Sequence, residues 1–403
     1  MAKSFIVIGL TDTHQPSFTD EVMKVIRDGR VFSGGKRHHE IVGGLLPASS
    51  SWIDITVPLD HVFSAYQELF NKGVESIIVF ASGDPLFYGF ANTIKREMPD
   101  AGIKLYPTFN SLQMLAHRLV IPYHDMHIVS LTGRPWKEFD RALIEGFYKI
   151  GVLTDREHHP GAIAQRMTDY GYNDFTMYVG EHLGNPEKER VTKHSLDEAM
   201  KETFDYPNCI LLVSSSAVRK PKKFGLPDHE FLLLDGREKM ITKMPIRLLT
   251  LQALELNRRK NFWDVGFCTG SVSIEARLLY PHLNIVSFEK REEGARLMEG
   301  NSRKFGALGI TTLIGDFLKM DITSLEKPDA VFVGGHGGRL KEMMSKVYSV
   351  LGPGGCIVMN SVTSQSHELF LDAAKELKME IEPTLHVALN EYNPIDILKA
   401  VKR

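Results

Sequence analysis

A chain of 403 residues with 43% hydrophobic and 24% charged side chains has the balance of a globular protein and excludes a disordered one, and its length implies two or three compact units. A net charge of −2 excludes the basic surface with which nucleic-acid binders meet phosphates. Cys209, Cys268 and Cys356 lie far apart with no CxxC pair, which excludes a disulfide framework and a zinc site and points to a reducing compartment.

The first run, MAKSFIVIGL, is too short for a signal peptide and reads as a β-strand. No apolar run approaches the ~18–20 residues of a membrane helix, so a soluble cytoplasmic protein with no membrane partner is expected. Short β-rich runs then alternate with amphipathic stretches, the pattern of α/β units around mostly parallel sheets. Strands are predicted at FIVIGL (5–10), ESIIVF (75–80), HIVSL (127–131), KIGVLT (149–154), FTMYVG (175–180) and CILLVSS (209–215). Periodicity fails over residues 216–238, which include the basic run RKPKK (219–223), and a solvated linker is expected there. The alternation restarts with FWDVG (262–266), NIVSFEK (284–290), TTLIG (311–315), DAVFVGG (329–335) and GCIVMNSV (355–362). One domain is therefore expected over 1–215 and another over 239–403.

In the second of these, Asp264, Gly266 and Gly270 give D-V-G-x-x-x-G at a strand-to-helix turn, where backbone amides can approach a ligand beyond the carboxyl ends of the strands. A dinucleotide pattern wants a middle glycine, and Cys268 stands there, which disfavours a nicotinamide-dependent oxidoreductase. Glu289 ends the next strand, where a carboxylate accepts both ribose hydroxyls of a nucleoside; NAD and S-adenosylmethionine are served alike. Gly315 and Asp316 close the third strand, placed to border an adenine ring, and the fourth ends in GGHGG (334–338), which leaves little bulk between a methyl donor and its acceptor. In the first domain SGDPLFYG (82–89) sets Gly83, Asp84 and Pro85 directly after a buried strand. By itself Gly-Asp-Pro is ordinary turn chemistry.

The neighbouring segments change that reading. In order and spacing VIGL (7–10), FSGGKRHHE (32–40), VFASGDPLFYG (79–89), NSLQMLAHRLVIP (110–122), SLTGRP (130–135) and VGEHLGNPEKE (179–189) resemble the tetrapyrrole, or class III, methyltransferases. FWDVGFCTGSVSIEA (262–276), with MITKMPIRLLTLQAL (240–254) as its lead-in, resembles a class I methyltransferase. Together, over nearly the whole chain, they are similar to the bifunctional, decarboxylating C5,15-methyltransferase family of the cobalamin pathway. The resemblance implies an α/β protein in which a class III fold of two α/β subdomains (1–215) methylates C5 of a precorrin-6-type ring. After the linker (216–238), a class I Rossmann-like domain (239–403) would methylate C15 and decarboxylate the ring C acetate.

It also implies two S-adenosylmethionine sites per chain. Gly83, Asp84 and Pro85 would shape the first, with Ser111 and Leu112 on its wall; Asp264, Gly266, Thr269, Gly270, Glu289, Gly315 and Asp316 would hold the second. The substrate bears many carboxylates, so Lys36, Arg37, Arg134 and Arg339 are candidates to contact them. His336 is placed as a general base, the alternative being an exposed loop imidazole. The pairs His38–His39 and His158–His159 point apart and clamp no metal, so no metal site is expected. A homo-oligomer is implied, and no nucleic-acid partner. Departures from the family pattern are the glycine-poor loop GLTDTHQP (9–16), Phe267–Cys268–Thr269 in the second loop, and Ser364 and Gln365 where relatives have leucine and glutamate. A nucleic-acid methyltransferase and a non-catalytic S-adenosylmethionine sensor are the rival readings; a sensor would bind the donor without turning over a tetrapyrrole.

Overall fold

The computed structural model describes residues 3–13, 16–216, 218, 224–237, 240–390 and 393–403. The basic run 219–223, and with it part of the expected linker, lies outside the described residues. Two compact units are present, the first comprising Met1–Arg134, Lys149–Gln165 and Asp174–Ala217 and the second Pro135–Tyr148, Arg166–Asn173 and Val218–Arg403.

The chain runs β1 (Ser4–Leu10), α1 (Asp20–Asp28), β2 (Val31–Gly34), α2 (Lys36–Val42), β3 (Ser51–Asp54), α3 (Asp60–Asn71), β4 (Ser76–Ser82), α4 (Phe90–Glu97), β5 (Gly102–Tyr106) and α5 (Ser111–Leu119). These strands form a parallel sheet in the order β3-β2-β4-β1-β5. Alternation along the strands supplies both faces with core: Phe5, Val7, Ile77 and Val79 pack on one side, Ile8, Phe32, Ile78 and Phe80 on the other.

The following stretch is β6 (His127–Ser130), α6 (Lys137–Ile144), β7 (Lys149–Leu153), α7 (Pro160–Asp169), β8 (Phe175–Glu181), β9 (Arg190–Ser195), α8 (Leu196–Ala199) and β10 (Asn208–Ser214). Its sheet is mixed, in the order β6-β7-β10-β8-β9, with β6 and β7 parallel and the other pairs antiparallel. Helix α6 and the end of α7 group with the second unit. There Arg166 donates two 2.7 Å bonds to the buried Asp140, and Tyr172 donates to the Gly306 carbonyl.

The rest of the second unit is α9 (Met244–Leu254), β11 (Asn261–Val265), α10 (Ser271–Leu279), β12 (Asn284–Glu289), α11 (Glu293–Phe305), β13 (Ile310–Ile314), β14 (Ala330–Val333), α12 (Leu340–Val350), β15 (Cys356–Ser361), α13 (Ser364–Glu376), β16 (Glu380–Ile381), β17 (Leu385–Val387) and β18 (Ile395–Val401). The sheet order is β13-β12-β11-β14-β15-β18-β16, with β17 also on β18; β18 is antiparallel to its neighbours and the pairs among β11–β15 are parallel. The order reverses between β11 and β14, the switch point beyond whose carboxyl edge ligands sit in open α/β sheets. Pairs of strand residues divide the core: Trp263 and Val265 face α12 and α13, while Phe262 faces α9 and α10. Asp264 therefore points toward α10 and into the core.

The expected α/β fold class is observed, and every predicted strand is present. The strands missing from the sequence reading, β2, β3, β5, β9, β16, β17 and β18, are short or interrupted by charged residues. The described part of the expected linker is packed, not solvated: Leu226 and Phe231 are buried, and the Phe231 ring lies tilted against that of Phe305, centroids 4.6 Å apart.

Candidate functional site

In the first unit a cleft of about 690 Å³ opens at the carboxyl ends of β1, β2 and β4. Backbone geometry shapes it. Gly83, at φ +62°, donates its N–H to the Leu10 carbonyl at 2.6 Å. A Cβ on Gly9 would lie 2.1 Å from the Gly83 carbonyl oxygen, so the β1 and β4 loops touch only because Gly9 has no side chain. Of the predicted residues Gly83, Ser111, Arg37 and Arg134 line this cleft. Asp84 stands behind it and closes the turn, accepting from the Leu86 N–H at 2.8 Å. Pro85 and Leu112 are buried under the wall, and Lys36 is exposed at the start of α2.

The cleft also holds residues that the sequence did not single out. Asp12, 8% exposed, lies 3.2 Å from Arg37 Nε and 3.4 Å from His182 Nδ1. His182 adopts φ +48°, a conformation that the motif EHLG hides because glycine stands two residues later. A carboxylate two residues after the end of the first strand was the available signal for Asp12. Arg134 donates to Ser130 Oγ and lies over the Tyr88 ring at 5.1 Å. Leu86, Tyr88 and Phe109 are exposed apolar side chains near the cleft. His38 is pushed down to about 4, first by burial and then by Arg37, and stays neutral while bonding Ser82 Oγ at 2.9 Å.

In the second unit the loop after β11 alternates its backbone: Gly266, Cys268 and Gly270 all have positive φ, +81°, +52° and +75°. Glu289 binds this loop to its own strand end, accepting from the N–H groups of Cys268 at 2.9 Å, Lys290 at 2.8 Å and Arg291 at 3.0 Å. Asn301 on α11 donates to the Thr269 carbonyl at 2.9 Å, and Thr269 itself is buried. A Cβ on Gly266 would meet the Gly335 nitrogen at 2.8 Å and oxygen at 2.9 Å. The GGHGG loop thus rests on the first glycine of the β11 loop, backbone against backbone.

Cys268 occupies the left-handed region where the glycine pattern has its middle glycine. An L-residue is strained there by roughly 1–2 kcal/mol, so Cys268→Gly is expected to raise the stability of this unit by about 1 kcal/mol. Urea unfolding followed by a probe in this unit checks it, and an unchanged or lower midpoint would refute it.

Asp264 has no exposed surface. Ser273 Oγ donates to its Oδ2 at 2.5 Å, and Oδ1 has no hydrogen-bond partner among the described residues. Burial pushes its pKa up to about 7, against the Ser273 bonds and with help from the charge of Glu289. The folded state therefore holds a proton that the unfolded chain has lost above ~4. Unfolding releases that proton, and stability contributed here falls as pH rises from ~4 to about 7 and levels beyond. Asp264→Asn is expected to remove this slope. Denaturant midpoints at a series of pH values, variant against wild type, test it; parallel curves would count against it. The residue acts from beneath the loop.

Gly315 closes β13 at φ +142°, and Asp316 lies 3.8 Å from both Lys290 Nζ and Arg339 Nη1. Arg339 is also held by Glu342 through two bonds of 2.9 and 2.6 Å. His336 is half-buried; its Nδ1 accepts from the Gly338 N–H at 3.2 Å, and its Nε2 lies 3.4 Å from Ser366 Oγ. Burial lowers its pKa, so the ring is a neutral imidazole whose Nε2 bears the proton. Near it stand three residues that the sequence reading missed, His367, His386 and Asp396, joined by hydrogen bonds. Ten or more residues separate them along the chain, and only the antiparallel β18 brings them together.

The comparisons divide the chain as the two sites do. Residues 4–200 match the Tetrapyrrole (Corrin/Porphyrin) Methylases and residues 235–400 the Precorrin methyltransferase domain. A Sinorhizobium protein named precorrin-6Y C(5,15)-methyltransferase [decarboxylating] is 29% identical over 370 residues, 91% of this chain and 86% of the relative. The cobalt-precorrin-6B C(15)-methyltransferase (decarboxylating) of Salmonella typhimurium is 39% identical over 135 residues, 34% of this chain and 69% of that protein. A crystal structure of precorrin-6y C5,15-methyltransferase from Geobacter metallireducens is 32% identical, with 45% of this chain and 98% of that one covered and a TM-score of 0.41. With both methylase regions present in this order, the chain belongs to the family of the decarboxylating precorrin-6Y C5,15-methyltransferases.

Proposed function

We propose that this protein methylates a precorrin-6-type ring at C5 and C15 from S-adenosylmethionine and decarboxylates the ring C acetate, a step of cobalamin biosynthesis. The observation that carries the reading is the tandem of two unlike methylase regions, 4–200 and 235–400, in a chain that aligns over 91% of its length with a relative bearing both activities in its name. In this reading residues 1–215 serve C5, 239–403 serve C15 and the decarboxylation, and 216–238 join them. Each part binds one donor, and the protein is a cytoplasmic homo-oligomer.

The residues present fit the donor. In the second unit the bare glycines at 266 and 335 leave no Cβ over the loop. Glu289 Oε2, engaged by one N–H, keeps acceptor capacity for a ribose hydroxyl, and Asp316 borders the neighbouring strand end. In the first unit Gly83 and Ser111 face the cleft, and Asp84 and Pro85 hold the turn that carries Gly83. S-adenosylmethionine supplies an already activated methyl group on a cationic sulfonium, so the protein's task is alignment and exclusion of water. Arg37, Arg134, Lys36 and Arg339 are assigned to the carboxylates of the macrocycle, and Leu86, Tyr88 and Phe109 to its flat apolar faces. Arg37 and Arg339 each keep their acidic partners until a substrate carboxylate competes for them. His336, with its proton on Nε2, serves as a hydrogen-bond donor at the second site.

Mass spectrometry tests the reading. The purified chain, methyl-labelled S-adenosylmethionine and a precorrin-6-type ring, with and without cobalt, should give a product that has gained two methyl groups and lost carbon dioxide. Calorimetry should count about two donors per chain. Tight donor binding with no mass change on either ring would favour the sensor.

A further inference from the structure

We propose that His367 and His386, oriented by Asp396, are the proton-transfer site of the C15 methylation and decarboxylation; this rests on the function proposed above. His367 lies in the first turn of α13, His386 on β17 and Asp396 at the start of β18. His367 Nδ1 is 2.6 Å from Asp396 Oδ2, and His386 Nδ1 is 2.6 Å from Oδ1. Strand pairing fixes the arrangement, because Asp396 stands opposite Ser361 of β15 on one side and His386 of β17 on the other.

The bond from His386, and then that from His367, holds the Asp396 carboxyl below the usual carboxylate range. Both oxygens accept, and each ring keeps its Nδ1–H toward the carboxylate. That orientation turns Nε2 of each ring away from Asp396, the arrangement by which an aspartate makes histidine a general base. Among the described residues neither Nε2 has a hydrogen-bond partner. His367 and His386 side chains are 26% and 66% exposed, open to a substrate. Beside them Val362, which follows Ser361, and Leu385, which precedes His386, are exposed and apolar. An apolar surface with two basic nitrogens suits an uncharged macrocycle face bearing a reacting side chain.

Position supports the same assignment. β18 is two strands from β14, about 10 Å at the usual strand spacing, comparable with the breadth of a tetrapyrrole. A ring that rests on the GGHGG loop would extend over this cluster and can set its reacting carbon and the acetate against the two imidazoles. His336 is committed as a donor and lies within 3.4 Å of Ser366, the residue before His367. The glutamate expected from the family pattern at Gln365 is absent, and the fold brings a carboxylate to the same edge from β18 instead.

The reaction needs such a group twice. Methylation of a ring carbon that carries hydrogen forms a carbon–methyl bond with ring electrons, while the methyl–sulfur bond breaks and its pair stays on sulfur. The ring carbon then loses its proton to an imidazole Nε2, and the C–H pair returns to the ring. In the decarboxylation the bond from the methylene to the carboxylate breaks, carbon dioxide leaves, and the electron pair enters the conjugated ring. That pair then takes a proton from the imidazolium, and the acetate becomes a methyl group. One proton is released and one consumed, so a pair of histidines on one carboxylate closes the balance without an outside acid or base.

The full-length His367→Gln/His386→Gln variant, assayed by mass spectrometry on the precorrin-6-type ring, should slow C15 methylation and decarboxylation by 100-fold or more, the scale of general acid–base catalysis. C5 methylation and the count of bound donors should be unchanged, so a singly methylated ring accumulates. His367→Ala should regain activity on addition of imidazole, which a purely structural role would not produce, and Asp396→Asn should lower kcat with little change in KM. A double variant within threefold of wild type, or a loss that imidazole does not restore, overturns the proposal. A wild-type chain that leaves the ring unaltered in mass overturns the methylation reading itself, and this one with it; wild-type turnover with an unimpaired double variant overturns this one alone.

Discussion

Gly266→Ala is expected to abolish donor binding in the second unit and leave a product methylated at C5 alone. The added Cβ would stand 2.8 Å from the nitrogen and 2.9 Å from the oxygen of Gly335. Both are backbone atoms, which cannot swing away as a side-chain tip can. The residue also sits at φ +81°, where alanine is strained in its own right. Either the GGHGG loop moves off the β11 loop or the β11 loop unwinds, and each outcome displaces the amides that Glu289 holds. A loss on the order of 3 kcal/mol is expected, at the large end for one substitution, which corresponds to more than 100-fold in affinity. Calorimetry should then count about one donor per chain, and mass spectrometry one added methyl with carbon dioxide retained. Two bound donors and the doubly methylated, decarboxylated product would mean that this contact does not shape the site.

How far the sequence could be read follows from what each residue's role depends on. The strands of the two parallel cores were legible because their apolar runs are continuous, and a strand buried on both faces must be apolar throughout. Gly266 and Gly270 were legible because a turn that needs positive φ selects glycine locally. The role of Asp264 was only half legible. Its place in the motif was clear, but its direction depends on alternation within β11, and that turns it into the core beside Ser273. The edge strands β3 and β9, whose side chains are partly exposed, have no such signature. β18 carries Asp396 and Lys399 three residues apart among apolar neighbours and pairs with β15 across more than thirty intervening residues, so Asp396 and the two histidines could be brought together only by the register of the sheet. Cys268 shows the opposite case. The sequence marked it as a departure, and its φ of +52° explains why glycine is the residue that the position favours.

Arg247→Leu is expected to destabilise the second unit by about 3–5 kcal/mol, the cost of leaving a buried charge without its partner. Arg247 and Glu275 both have fully buried side chains, with Arg247 Nε 3.0 Å from Glu275 Oε2. The guanidinium also reaches Asp228 Oδ1 at 3.1 Å and the carbonyls of Thr242 and Leu226. Glu275 in turn accepts from the N–H groups of Gly225 and Leu226. The Arg247–Glu275 pair therefore fastens α9, and through Leu226 and Asp228 the segment before it, to α10, the helix that follows Gly270. Removal of the arginine leaves Glu275 with backbone donors alone and strips the buried Leu226 carbonyl and the part-buried Thr242 carbonyl of a partner. Replacing both charges by apolar residues should not restore stability, since the Gly225 and Leu226 N–H groups would lose their acceptor. Arg247→Lys should fall between, keeping the charge but losing the fork that serves four acceptors. Because the chain holds two compact units, unfolding need not be a single transition. The expected result is that the transition of the second unit moves to lower denaturant while that of the first stays, and that donor affinity falls at the second site alone. A shift of less than about 1 kcal/mol, or equal shifts in both units, would show that this pair does not fasten α10 and its glycine loop.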